Sequence, residues 1–106
     1  MNSVAGTPKP PYYAVIFTSE RTEKDNGYNG MAERMEQLAN EQEGFWGIES
    51  ARENLGITVS YWKDLESIKK WKMNSEHIMA QHKGRSIWYK NYKVRICLVD
   101  RDYEFI

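Results

Sequence analysis

Between Tyr12 and Val99 the hydrophobic pattern switches from a period of two to about 3.6 and back, and does so twice. Tyr12–Ser19 is rich in aromatic and β-branched residues and reads as a strand. Tyr13, Val15 and Phe17 fall on one face, and Tyr12, Ala14, Ile16 and Thr18 on the other. Both faces are largely apolar, which predicts a central strand covered on both sides. A helix is predicted from about Gly27 to Gln42, because Tyr28, Met31, Ala32, Met35, Leu38 and Ala39 recur at helical spacing. Asp25 or Asn26 is the candidate cap and Gly44 the candidate stop. Phe45–Glu53 and Ile57–Trp62 read as two further strands joined by an Asn54-Leu55-Gly56 turn. Asp64 is placed to cap a second helical stretch carrying Leu65, Ile68 and Trp71 on one side. Asn74 or Ser75 predicts a fresh cap and a bend there, after which the helix resumes through Ile78, His82 and Tyr89. Tyr92–Val99 is the fourth strand, with Val94, Ile96 and Leu98 alternating with Lys93, Arg95 and Cys97.

The resulting order is β-α-β-β-α-β. Right-handed crossovers place the first and third strands side by side in the middle of an antiparallel sheet, with both helical units on one face. The expected fold class is therefore α+β, a ferredoxin-like βαββαβ sandwich. Its other sheet face stays open, and apolar residues there call for a ligand or a second subunit. Two such faces packed together would form a dimeric α+β barrel, so a homodimer is expected. Residues 1–11, with Pro8, Pro10 and Pro11, read as a flexible N-terminal arm, and residues 12–106 as a single domain.

Fifteen Lys+Arg balance fifteen Asp+Glu. The absence of net charge suits self-association and weighs against a nucleic-acid partner, which needs a basic surplus. The longest apolar run, Tyr12 to Phe17, is far short of the roughly 20 residues that cross a bilayer, so no membrane partner is expected. With no basic segment followed by an apolar stretch at the N-terminus, a cytoplasmic location is expected. Cys97 is the single cysteine, which rules out an internal disulfide and a Cys-based zinc site. Among apolar strand neighbours it reads as a buried, inert thiol.

Four Trp, seven Tyr and three Phe are the unusual feature. Such residues fill a core, build an interface or wall a pocket for a flat ligand. Trp62 and Trp71 are candidate walls for a small aromatic ligand, and Phe17 is a candidate ligand contact. His77 is a candidate acid/base group. His82, on a helical face with Ile78, Arg85 and Tyr89, is a candidate anchor, as is Arg85 through charge-assisted hydrogen bonds. Arg95 offers the same chemistry. Trp71 is expected to bridge sheet and helix and to matter more for stability than Trp88. Phosphate-cradling Gly-rich loops, a Ser-centred nucleophile elbow and a His-Glu-x-x-His pattern are all absent.

The stretch Gly56-Ile-Thr-Val-Ser-Tyr-Trp-Lys-Asp-Leu-Glu-Ser-Ile-Lys-Lys-Trp-Lys resembles the antibiotic biosynthesis monooxygenase superfamily. There a strand ending in Trp leads to an acidic helix start and a second Trp at the spacing of Trp62 and Trp71. The string from His77 to Tyr89, with Gln81, Gly84, Arg85 and Trp88, is similar to one bacterial branch. The resemblance spans about residues 12 to 104 and implies a dimeric α+β barrel. It also implies a cofactor-free oxygenase acting on a small aromatic or quinol-type compound, with Trp71 and His77 as catalytic candidates and no cofactor or metal. The haem-degrading branch is similar in a Trp on the helical region and an Asn-Ser pair eight residues before an iron-ligating His, here Trp71, Asn74-Ser75 and His82. That branch has an Asn on its first strand, and Tyr12–Ser19 has none. Haem is therefore the alternative cofactor, and a non-enzymatic small-ligand-binding module the third reading.

Overall fold

The structure, a computed structural model, describes residues 3–25, 27–81 and 85–105, with backbone alone for residues 80, 81, 85 and 86. The elements are β1 (Tyr12–Arg21), α1 (Tyr28–Asn40), β2 (Phe45–Arg52), β3 (Leu55–Trp62), α2 (Leu65–Gln81), the short α3 (Arg85–Trp88) and β4 (Tyr89–Val99). The strands form one sheet in the order β2-β3-β1-β4, every neighbouring pair antiparallel. This is the ferredoxin-like α+β arrangement, with β1 and β3 in the centre.

Register decides which side chains face the helices. Tyr13 pairs with Trp62 and Leu98, Val15 with Ser60 and Ile96, Phe17 with Thr58 and Val94, and Ser19 with Gly56 and Tyr92. Opposed residues share a face. Val15, Trp62 and Ile68 form one core cluster, with Tyr13, Phe45 and Trp71 packed against it. Met31, Ile78, Met79, Trp88 and Tyr89 form the second, with Phe17, Tyr28, Met35, Leu38, Ile87 and Tyr92 around it. Both clusters lie between the sheet and the helices. Helices cover one face only, yet Tyr12 and Ala14 on the other face are also buried, with Thr7 and Asp102 bonded to the Tyr12 hydroxyl, so this end of β1 is covered on both sides as predicted.

Local chemistry explains the element ends. Tyr28 donates its N–H to the carbonyl of Asp25 (2.7 Å), and Gly27 precedes α1 in the left-handed region (φ 84) without a side-chain cap. The expected Asp25 side-chain cap is thus replaced by its backbone, and Asn26 lies outside the described residues. Gly44 also has φ 84, and a Cβ there would strike the Ser67 side chain, so this stop needs glycine. Asp64 caps α2 as expected: its Oδ1 accepts the Ser67 N–H (2.8 Å) and the Ser67 hydroxyl (2.7 Å). Those two bonds, helped by Lys63 and Lys70, hold the Asp64 carboxyl below its usual range.

Three expectations are corrected. α2 runs unbroken through Asn74 and Ser75. Neither caps anything, because Asn74 donates to Gln42 Oε1 (3.1 Å) and Ser75 back-bonds to the Lys72 carbonyl (3.0 Å). Tyr89 belongs to β4, not to a helix, and pairs with Arg21 across a register shift after Glu20. Cys97 is exposed. It pairs with Ala14, on the face away from the helices.

The ranking of the tryptophans is also reversed. Trp88 is 1% exposed and donates its indole N–H to the Asp25 carbonyl (2.8 Å), whereas Trp71 is half-buried. Trp88→Ala should therefore cost about 3–5 kcal/mol and Trp71→Ala less. Chemical denaturation of both variants measures the difference, and equal midpoints would contradict this ranking.

Candidate functional site

The helix side of the sheet carries two aromatic groups at opposite ends. At one end, Trp62 closes β3 fully buried and donates its indole N–H to Ser60 Oγ (2.8 Å). Trp71, on α2, stacks on it at 5.7 Å with 27° between the planes. Phe45 meets Trp62 edge-on at 5.3 Å. Asp64 sets this pairing, because it fixes where α2 begins and hence where Trp71 falls over Trp62.

At the other end, Phe17 packs edge-on against Tyr89 (5.6 Å) and tilted against Tyr92 (5.1 Å). Tyr28 meets Tyr89 and Trp88 edge-on at 5.9 and 6.0 Å. The Arg21 guanidinium lies over the Tyr28 ring, 3.4 Å from its centroid. Burial, with the hydrogen bond to Tyr28, holds the Tyr89 hydroxyl well above the usual tyrosine range, while Arg52 and Arg21 act in the opposite direction.

Between these ends the sheet turns small and polar. Ser60 is buried, Thr58 half-buried and Ser50 exposed, with the Ser50 and Thr58 hydroxyls 2.9 Å apart. Along β4 the helix-side row Val94, Ile96 and Leu98 is 47%, 51% and 55% exposed. The helices cover β1 and β3 and leave this apolar row bare. An aromatic stack, a polar strip and an uncovered apolar strip suit a flat, mainly apolar ligand with a few polar substituents.

Across 107 aligned residues the chain is 51% identical to the Bacillus subtilis (strain 168) protein named uncharacterized protein YqjZ, covering 99% of this chain and 94% of YqjZ. The chain belongs to the YqjZ family. No family model matches it. Among solved structures, a single-residue mutant of SnoaB, a cofactor-independent oxygenase of Streptomyces nogalater, superposes with a TM-score of 0.71. That match covers 88% of this chain and 97% of SnoaB at 9% identity. A Bacillus cereus protein named for the antibiotic biosynthesis monooxygenases superposes at 0.60, covering 91% and 100% of the two chains at 18% identity. PA3566 of Pseudomonas aeruginosa superposes at 0.67, covering 91% and 99% at 14% identity. This YqjZ-family chain has the fold of the antibiotic biosynthesis monooxygenase superfamily.

In the YqjZ-family chain the candidate residues do not all converge. Trp62 and Trp71 are in contact, whereas Phe17 sits in the other aromatic group. His77 is on the exposed side of α2, next to the buried Ile78. His82 lies outside the described residues, as does the Arg85 side chain. Arg95 is exposed on the helix-free face, opposite Ile16. Among the described residues no histidine faces the sheet. Among them no group of three or more His, Cys, Asp or Glu is placed to hold a metal ion, and no helix is long and apolar enough to cross a membrane. Sequence reading gave Tyr28 and Tyr89 only packing positions and assigned no site role to Tyr92, Arg21 or Arg52. The alternation Tyr13, Val15, Phe17 carried on through Ser19 would have led to Arg21.

The helix-free face has its own polar cluster. Tyr12 donates to Asp102 Oδ2 (2.5 Å) and accepts from the Thr7 hydroxyl (3.0 Å). Tyr61 donates to Glu49 Oε1 (2.5 Å), and Glu49 Oε2 accepts the Ala5 N–H (2.9 Å). Tyr12 and Tyr61 also pack edge-on at 5.9 Å. Burial first, then the carboxylate each one faces, raises both hydroxyls above their ordinary value of 10.0. The neutral phenols therefore contribute stability that is complete below pH 10.0 and is lost as pH rises through the higher folded values. An alkaline absorbance titration should show a late-ionising group of tyrosines, and Tyr61→Phe should remove one member of it.

Proposed function

We propose that the chain is a cofactor-independent oxygenase of a small, electron-rich aromatic of the quinol type, working as a homodimer. The observation that carries this is the Trp62–Trp71 stack, with Trp71 still partly exposed, in a fold shared with SnoaB. A flat substrate ring extends such a stack at little conformational cost. An electron-rich phenolate can itself reduce O2. When a quinol becomes a hydroxyquinone, one ring C–H becomes C–OH with one oxygen atom of O2, the ring gives up its two hydroxyl protons and two electrons, and the other oxygen leaves as water with those protons. The protein then contributes orientation and dryness. In this reading Trp62 and Trp71 are the walls, Phe17 a ligand contact, and His77, His82 and Arg85 the polar groups tested by substitution.

Self-association follows from the uncovered apolar surface. Leu55 and Ile57 are 49% and 42% exposed on the helix-free face, beside the half-buried Val59 and Ile16. A second copy packed on that face removes it from water, and obligate interfaces of this kind bury about 2,000 Å² or more. Light scattering should give twice the 12.5 kDa chain mass at micromolar concentration, and a clean monomer there would overturn the homodimer.

Oxygen uptake by metal-free protein across a panel of quinols tests the activity. The expected result is uptake matched by product, unchanged by chelators and reduced about tenfold or more in Trp71→Ala with the fold intact. No uptake with any quinol, together with a haemin Soret shift abolished by His82→Ala, would replace this reading with haem binding.

A further inference from the structure

A cleft lies at the opposite end of the helix face from the tryptophan stack. The sheet register runs from Tyr13 opposite Trp62 to Ser19 opposite Gly56, and just past Ser19 this cleft of about 410 Å³ opens between the β2–β3 turn and the ends of β1 and β4. Arg21, Arg52 and Lys90 line it, with Thr22 and Asn54 between them.

The two guanidiniums are held in place by neutral groups. Arg21 lies over the Tyr28 ring and donates through Nη2 to the Lys24 carbonyl (3.1 Å). Arg52 reaches across β3 and donates through Nη2 to Ser19 Oγ, a residue only 1% exposed. Among the described residues, neither guanidinium has a carboxylate at ion-pair distance. Arg21 Nε is buried and donates to no described acceptor. A buried charged donor in that state costs folding free energy until an acceptor arrives. Glu20 and Glu53 also line the cleft, but Glu20 Oε1 is taken up by Asn91 Nδ2 (3.1 Å). Three cations against two carboxylates leave one net positive charge, which matches a monoanion better than a dianion.

We infer that this cleft binds a small organic monocarboxylate, gripped by the preset guanidiniums of Arg21 and Arg52. A carboxylate satisfies the planar fork of donors that an arginine presents. The site stands independently of the oxygenase reading, since none of its residues belongs to the tryptophan stack.

Gly56 supplies a sharp test. A Cβ on Gly56 would overlap the Arg52 guanidinium, and the atoms it meets are the far end of a flexible, exposed side chain. Gly56→Ala should therefore push Arg52 off Ser19 while the fold persists. Benzoate titrated into the wild type, followed by amide chemical shifts, is expected to move signals of Arg21, Thr22, Arg52 and Asn54. Losing one charge-assisted hydrogen-bonding partner should weaken binding about tenfold in both Gly56→Ala and Arg52→Gln. Benzyl alcohol should not shift these signals, and inorganic phosphate should bind more weakly than benzoate. Unchanged affinity in both variants with thermal midpoints preserved, equal shifts with benzyl alcohol, or tighter binding of phosphate would each overturn the proposal.

Discussion

β1 is hydrogen-bonded to β3 along one edge and to β4 along the other, and its register orders everything above the sheet. A one-residue slip would turn Tyr13, Val15 and Phe17 to the helix-free face and bring Tyr12, Ala14 and Ile16 beneath the helices. Both core clusters would be lost, since Val15 anchors one and Phe17 packs on the other. The register is protected by its unequal faces: only Tyr13, Val15 and Phe17 match the apolar stripes of α1 and α2, and only Tyr12 can meet Thr7 and Asp102.

With that register in place, the helices can rest on β1 and β3 but do not reach the outer row of β4. The bare Val94, Ile96 and Leu98 and the polar Ser50–Thr58 pair are therefore products of topology as much as of local sequence. The core divides into two aromatic-rich clusters joined through β1, and the chemistry of the helix side divides with it. One end offers stacked indoles, the other phenols and guanidiniums.

Alternation made the order of elements and the sheet arrangement readable, because a strand with one buried face must place its apolar residues two apart. The Asp64 cap was equally readable, since it needs only a carboxylate three residues before Ser67. What misled was residue type without context. Asn74 and Ser75 look like cap residues, yet a Gln42 partner and a backbone carbonyl satisfy them inside a continuous helix. Tyr89 fits a helical stripe, but pairing with Arg21 draws it into β4. Trp62 and Trp71 were readable as a pair through the resemblance to the antibiotic biosynthesis monooxygenases, whose spacing they keep. The Arg21–Arg52 cleft was not, because Arg52 reaches it only across Gly56, a contact between strands that no local pattern reveals.

The hydroxyl of Tyr12 is a meeting point for distant parts of the chain. It accepts from Thr7 in the segment before β1 and donates to Asp102 in the segment after β4, so two stretches at opposite ends of the sequence reach one oxygen atom. A circularly permuted chain could join those stretches with a short linker and be opened in a surface turn instead. The β2–β3 turn would be a poor place to open it, because Arg52 is its last strand residue and its guanidinium is anchored on Ser19. The strand order thus allows a rearranged connectivity, while the guanidinium cleft dictates where the cut can fall.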